Sequence, residues 1–89
     1  MPQDTLDIIN IKGLHARASA KFAEVVEHHN AAATVRKDGM EADGDSIMGL
    51  LMLAAGVGST IEVETSGAEA EALMAALKAL VADKFGEGD

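Results

Sequence analysis

A histidine and an arginine stand two residues apart in the run Gly13-Leu14-His15-Ala16-Arg17, and together they have the chemistry to carry a phosphoryl group. A free imidazole is substantially neutral at pH 7, so it has a lone pair with which to attack phosphorus. The run leads into a predicted helix, whose N-terminal N–H groups and dipole favour an anion beside them. Arginine can add charge-assisted hydrogen bonds to the phosphoryl oxygens. His15 is therefore the candidate phosphoryl acceptor, and Arg17 the residue expected to stabilise the group.

The same spacing fits a plainer interpretation. A histidine at a helix start can simply occupy the capping position, and an arginine in the first turn can be an ordinary solvated charge, since short motifs often match by chance. The spacing alone leaves both interpretations open. Gly13 would let the backbone turn so that the imidazole stays exposed in either case.

Ser46 opens a second informative segment, because serine is a preferred helix N-cap and also a residue that can carry a phosphate. The residues that follow are too apolar for a helix with one buried stripe. If Leu50 and Leu53 face the core, other apolar side chains of this helix remain partly exposed. The exposed set would be Ile47, Met48 and Leu51. Such a patch on a small acidic protein usually marks a docking site, whereas a helix buried on two sides would need more layers than this chain supplies.

Composition limits the classes of function. The chain has 89 residues, a formal net charge of −8, two Phe and no Cys. We expect one domain over residues 1–89, with no disulfide, no metal and no cofactor. The acidic balance and the shortage of aromatic residues argue against a nucleic-acid partner. No export signal or membrane-spanning run is apparent, so a cytoplasmic location is expected.

Residue patterning predicts four strands and three helices. The strands are expected at 5–11, 33–37, 40–43 and 60–65, and the helices at 16–27, 46–54 and 68–84. Asp38-Gly39 between the two middle strands is typical of a two-residue hairpin turn. The order β-α-β-β-α-β-α indicates an α+β fold, with a four-stranded antiparallel sheet and its helices on one face.

The motifs occur in an order that resembles one known family. They are Gly13-Leu14-His15-Ala16-Arg17, Lys21-Phe22, Asp45-Ser46-Ile47-Met48-Gly49-Leu50 and Gly56-Val57-Gly58. Separated motifs with the right intervening lengths are more specific than one alone, and these extend over nearly the whole chain. The chain resembles HPr, the histidine-containing phosphocarrier family of the bacterial phosphoenolpyruvate-dependent phosphotransferase system.

The resemblance implies a role for each candidate residue. His15 would accept a phosphoryl group on Nδ1 from enzyme I, which is charged by phosphoenolpyruvate, and donate it to EIIA-type proteins. Arg17 would stabilise the exchange, and Ser46 would be a target of HPr kinase/phosphorylase. The partner-docking residues would be Ala16, Ala20, Ile47, Met48 and Leu51. The implied fold is the open-faced β-sandwich with three helices that the patterning also predicts.

Two departures from the family pattern concern partner choice. Many members have proline where this chain has Ala18, and alanine there resembles the nitrogen-regulatory branch. Proline suits a first helical turn, so its absence should loosen the helix start slightly. Glu24, Glu27 and Asp45 stand where many carbohydrate-transport members have basic residues. The choice between carbohydrate and nitrogen-type partners is therefore left open, while phosphotransfer itself is not affected.

We expect a monomeric phosphocarrier that forms phosphohistidine as an intermediate and is not itself an enzyme. The alternative is a mainly regulatory HPr-like binding module, which would act through Ser46 on a transcription factor or a metabolic enzyme. Such a regulatory relative would be expected to lack the histidine, and this chain has His15.

Overall fold

Four strands and three helices make up the structure, a computed structural model that describes residues 2–86. The strands are β1 (Gln3–Asp7), β2 (Ala32–Lys37), β3 (Met40–Asp43) and β4 (Thr60–Ser66). The helices are α1 (Ala16–Glu27), α2 (Ile47–Met52) and α3 (Ala70–Ala82), and a short 3-10 segment, Lys84–Gly86, follows α3. The predicted element order is confirmed.

The strands form one antiparallel sheet in the order β1-β4-β2-β3. Leu6 pairs with Ile61 and Val35 with Val63, and these four side chains are buried beneath the helices. The opposite face is polar, and on it Arg36 forms ion pairs across three strands. Its guanidinium lies 2.9 Å from Glu41, 3.4 Å from Glu62 and 3.1 Å from Glu64. The helices thus cover one face of the sheet, which confirms the predicted α+β sandwich.

Each helix buries one apolar stripe in the shared core. The α1 residues Phe22, Ala23 and Val26 are buried, as their spacing predicts. Helix α2 contributes Leu50 and α3 contributes Leu73 and Leu77, all without solvent exposure. Helices α1 and α2 also pack against each other. The chain after α2 lies against Gly13, before α1, whereas Gly44, before α2, lies close to Val26 near the end of α1.

The first strand was predicted wrongly at both ends, because it covers Gln3–Asp7 and not residues 5–11. Ile8, Ile9 and Ile11 led to the error at the C-terminal end, since β-branched residues are enriched in strands wherever they stand. Ile8 is fully buried, whereas 45% of Ile9 is exposed. The chain then turns, and the Asn10 carbonyl accepts a hydrogen bond from the Gly13 amide. β-Branched composition alone did not reveal this turn.

The other boundaries differ by a few residues. Helix α3 covers Ala70–Ala82 instead of 68–84, because Lys84 and Phe85 both have positive φ angles that end the helix. Helix α2 ends at Met52, since Ala54 takes the left-handed conformation at φ 53°. Strands β2 and β4 are each one residue longer than predicted. The predicted helix at 16–27 and the predicted strand at 40–43 are confirmed.

A close approach of two loops sets the start of α1. The Leu14 amide donates a hydrogen bond of 2.8 Å to the Ala55 carbonyl, and the Asn10 side-chain amide donates one of 2.8 Å to the Gly13 carbonyl. Gly13 has φ +66°, and a Cβ there would lie 2.5 Å from the Ala55 oxygen and 2.8 Å from the Gly56 Cα. Only glycine allows both the positive φ angle and the close approach of the Ala55–Gly56 backbone. The residue before His15 is therefore fixed against the chain that follows α2.

We predict that Gly13→Ala lowers the free energy of unfolding by about 2–4 kcal/mol, because it combines backbone strain with a backbone clash. Gly39→Ala is the matched control, since Gly39 has φ +80° but nothing within 4 Å of an added Cβ. The control should cost about 1 kcal/mol from strain alone. Urea denaturation measures both values, and equal losses would show that the contact with Ala55 is unimportant.

Candidate functional site

His15 is the N-cap residue of α1, with an extended backbone at φ −80° and ψ −176°. Its carbonyl accepts the first helical hydrogen bond, from the Ser19 amide at 2.8 Å. Its side chain forms no capping hydrogen bond with the helix and is partly exposed. The imidazole therefore stands beside the first turn, where an α-helix leaves N–H groups without intrahelical partners. This is the environment in which a bound anion is stabilised.

Two exposed cationic side chains flank His15 in sequence. Lys12 precedes it in the loop, and Arg17 lies in the first turn of α1, where it is exposed. Lys21, one turn beyond Arg17, is directed elsewhere. Its Nζ donates a hydrogen bond of 2.6 Å to the Phe85 carbonyl and so ties α1 to the C-terminal segment. Arg17 is therefore the cation of α1 best placed to meet an anion on His15.

Ser46 is the N-cap residue of α2, as predicted. Its Oγ accepts a hydrogen bond of 3.0 Å from the Gly49 amide, and its carbonyl accepts one from the Leu50 amide. The side chain is partly exposed. A phosphate on this hydroxyl would sit at a helix N-terminus, where the dipole tolerates negative charge. Capping accounts for the serine without any modification.

The predicted docking residues lie on the two helices that pack together. Ala16 and Ala20 are exposed on α1, and on α2 the exposed fractions are 42% for Ile47 and 69% for Met48. Leu51 is partly exposed, whereas Leu50 and Leu53 are buried as predicted. We call these exposed residues, together with Met52 described next, the α1–α2 face. They are Ala16, Ala20, Ile47, Met48, Leu51 and Met52.

Sequence reasoning missed several exposed apolar side chains near the site. Met52 is 66% exposed, and its position four residues after Met48 was the signal that could have identified it. Ile9, Ile11 and Val57 are also exposed. They lie in the two loops that meet at Gly13, so apolar surface continues past the start of α1. No periodicity in the sequence marks such loop residues.

The acidic residues of α1 lie far from the imidazole. Glu24 is nine residues after His15 and Glu27 twelve, so the helical rise separates them by about 13 and 18 Å along the axis. These distances exceed a Debye length of about 8 Å at physiological ionic strength. Asp45 is exposed and precedes Ser46. The acidic side chains therefore act on whatever covers the two helices more than on His15.

The other two histidines, His28 and His29, form hydrogen bonds with the backbone at the end of α1. His28 is the C-cap residue, and its amide donates to the Glu24 carbonyl at 3.1 Å. The Nδ1 atom of His29 lies 2.8 Å from the Val25 carbonyl. Within residues 2–86, no three His, Cys, Asp or Glu side chains are grouped so that they could hold a metal ion. No helix of this part of the chain is long and apolar enough to span a membrane.

Comparison with protein families gives one match that covers most of the chain. The model for the PTS HPr component phosphorylation site matches residues 2–83. The phosphocarrier protein HPr of Cupriavidus necator is 46% identical over 89 residues, which is the whole of both chains. The phosphocarrier protein NPr of Escherichia coli K12 is 38% identical over 86 residues, or 96% of each chain.

Solved structures agree with these sequence matches. A crystal structure of an HPr protein from Thermoanaerobacter tengcongensis has a TM-score of 0.93 and 33% identity, and the match covers 98% of each chain. An HPr dimer from the same organism has a TM-score of 0.77 and 33% identity over 98% of this chain and all of that one. From the sequence motifs, the fold and these similarities, we conclude that the chain belongs to the HPr family of phosphocarrier proteins of the phosphotransferase system.

Proposed function

We propose that His15 is the phosphoryl acceptor of this carrier and that Arg17 stabilises the transferred group. The main support is the placement of His15 at the N-cap of α1, where its ring is partly exposed and forms no capping hydrogen bond. Arg17 lies in the adjoining turn and is exposed.

The proposed transfer exchanges one bond to phosphorus for another. The His15 Nδ1 lone pair forms a bond to the phosphorus on phosphorylated enzyme I, and the bond to the enzyme I group breaks with its electron pair. In the second step, the nucleophile of an EIIA-type protein attacks phosphorus and His15 leaves with the electron pair. Arg17 and the first-turn N–H groups of α1 stabilise the negative charge on the phosphoryl oxygens in both steps. The protein ends each cycle unchanged, as a carrier and not an enzyme.

The α1–α2 face is the proposed contact surface for both partners. Its exposed apolar side chains lie on both helices, and methionine adapts to differently shaped partners. Glu24 and Glu27 are exposed on α1, and the exposed Asp45 directly precedes the N-cap of α2. We infer that partner surfaces carry basic residues opposite these positions, and that these residues select between carbohydrate-type and nitrogen-type partners. Ala18 links the chain to the nitrogen-regulatory branch, although the 46% identical relative is an HPr.

Ser46 is the proposed regulatory phosphorylation site, for an HPr kinase/phosphorylase. The phosphate would replace a hydroxyl at the edge of the α1–α2 face and add about two negative charges there. Docking would weaken because the partner would then meet a desolvated charge next to apolar side chains. A mainly regulatory binding module is the alternative, and His15 beside Arg17 favours the carrier.

We also propose that the working form is a cytoplasmic monomer with a single domain. Two partners must use the α1–α2 face in succession, so a permanent dimer through that face would block transfer. Phosphoenolpyruvate, the ultimate phosphoryl donor, is an intracellular metabolite in the implied pathway, which supports the location.

We predict that His15→Ala abolishes acid-labile labelling by enzyme I and labelled phosphoenolpyruvate. The fold should persist, because the His15 side chain is outside the buried core and substitutions at the surface cost about 0.5 kcal/mol or less. His28→Ala is the control, since His28 is about 20 Å farther along the helix axis. Acid-labile label on the His15→Ala protein would overturn the assignment.

Arg17→Ala should slow transfer from enzyme I by about 10- to 100-fold, because the charged donor acts on the transferring group. The transfer rate of Arg17→Lys should lie between those of the parent protein and Arg17→Ala, since lysine keeps the charge but lacks the planar guanidinium. Rapid-quench transfer rates separate the three proteins, and circular dichroism confirms that each is folded. An unchanged rate for Arg17→Ala would remove this residue from the mechanism.

Replacing Ser46 by Asp and by Asn separates charge from capping, because both residues are good N-caps of similar shape. We expect Ser46→Asp to slow transfer about tenfold, while Ser46→Asn stays within about twofold of the parent protein. Both should unfold at similar urea concentrations. Equal transfer rates for Asp and Asn would exclude regulation by charge at this position.

A further inference from the structure

Two thioether side chains stand exposed on α2. Met48 and Met52 are 69% and 66% exposed, and they are four residues apart on a helix of the α1–α2 face. Residues at this spacing lie one above the other on the same side of a helix. The two sulfur atoms therefore belong to one patch, which begins two residues after the N-cap Ser46.

The other described methionines have different surroundings. Met74, in α3, is buried with only 7% exposure. Met40 is 44% exposed, but it lies at the start of the edge strand β3, outside the α1–α2 face. The sequence contains five Met and no Cys, so oxidants that react with sulfur meet only thioethers in this protein. Reaction follows exposure, so the patch on α2 should react ahead of the core.

We propose that Met48 and Met52 are oxidation sites, and that hydrogen peroxide or an organic hydroperoxide closes the docking surface by converting them to sulfoxides. Each sulfur donates an electron pair to the terminal peroxide oxygen, a sulfur–oxygen bond forms and the O–O bond breaks. The thioether is oxidised by two electrons. The peroxide is reduced to water, or to an alcohol, after the departing oxygen takes up a proton.

Oxidation changes the chemistry of the surface without requiring a change of fold. A sulfoxide is polar and accepts hydrogen bonds, whereas the thioether it replaces is apolar. Both side chains are exposed, so their oxidation leaves the packing of the core unchanged. A partner that covered them would have to strip water from two new polar groups. This inference rests on the proposed function, since it assigns the α1–α2 face to partner docking.

The experiment treats the folded protein with hydrogen peroxide and maps sulfoxide at each methionine by peptide mass spectrometry. Met48 and Met52 should oxidise first, and Met74 last. The rate of phosphoryl transfer from enzyme I should then fall about tenfold as sulfoxide accumulates at the two α2 positions. Methionine sulfoxide reductases that accept both epimers should restore it. Circular dichroism before and after treatment reports the fold.

Two variants make the result specific. The transfer rate of the double variant Met48→Leu/Met52→Leu is measured before and after peroxide treatment. Its two rates should agree within about twofold, because leucine has no sulfur to oxidise. Met40→Leu keeps both α2 sulfurs and should lose transfer as the parent does. Oxidation of Met74 before Met48 and Met52, or full transfer by the oxidised parent protein, would overturn the inference. If the untreated parent protein takes no phosphoryl group from enzyme I, the proposed function fails instead, and the docking role of oxidation fails with it.

Discussion

The contact between Gly13 and the Ala55–Gly56 backbone is the constraint on which the arrangement of this molecule depends. It joins the loop before α1 to the loop after α2, and the 2.8 Å hydrogen bond from Leu14 to Ala55 fixes their register. The Asn10 side chain closes the same loop from within. Because His15 directly follows Leu14, the position of the His15 backbone relative to the chain after α2 is set by main-chain atoms. Side-chain packing alone would leave such a short loop freer to move.

In the proposed function, the groups that hold the phosphoryl group lie at the start of α1, and most of the apolar docking side chains lie on α2. The N-terminus of α1 supplies His15, Arg17 and helix N–H groups, all suited to an anion. The adjoining surface of α2 is apolar, with Met48 and Met52 exposed on it. A protein with a net charge of −8 would repel another acidic protein at long range, so short-range apolar contact is a reasonable means of docking. In the proposed transfer, that contact would place the partner beside His15 and Arg17 at the start of α1.

The rest of the fold keeps the two helices in place. Helices α1 and α3 and the C-terminal segment are joined through buried Phe22, Leu77 and Phe85, and by the Lys21 hydrogen bond to the Phe85 carbonyl. On the opposite side of the sheet, Arg36 links three strands through exposed or half-exposed carboxylates. Such ion pairs add little stability. The buried face of the sheet therefore contributes most to the stability of the fold. Its outer face lies on the side away from the helices that form the candidate site.

The sequence by itself determined the element order and the α+β class, and it suggested the three positions that the proposed function uses. The alternation in β4, the helical stripe of α1 and the Asp38-Gly39 turn are local patterns. They can be identified from the sequence without knowing which elements pack against one another. His15, Arg17 and Ser46 were proposed in the same way, from short motifs. Tertiary structure alone decided where β1 ends, because the isoleucines that follow Asp7 have strand propensity, while the hydrogen bond from Leu14 to the distant Ala55 holds this segment as a loop. It also decided that Met52, Ile9, Ile11 and Val57 are exposed beside the site, since exposure depends on which distant residues leave a side chain uncovered.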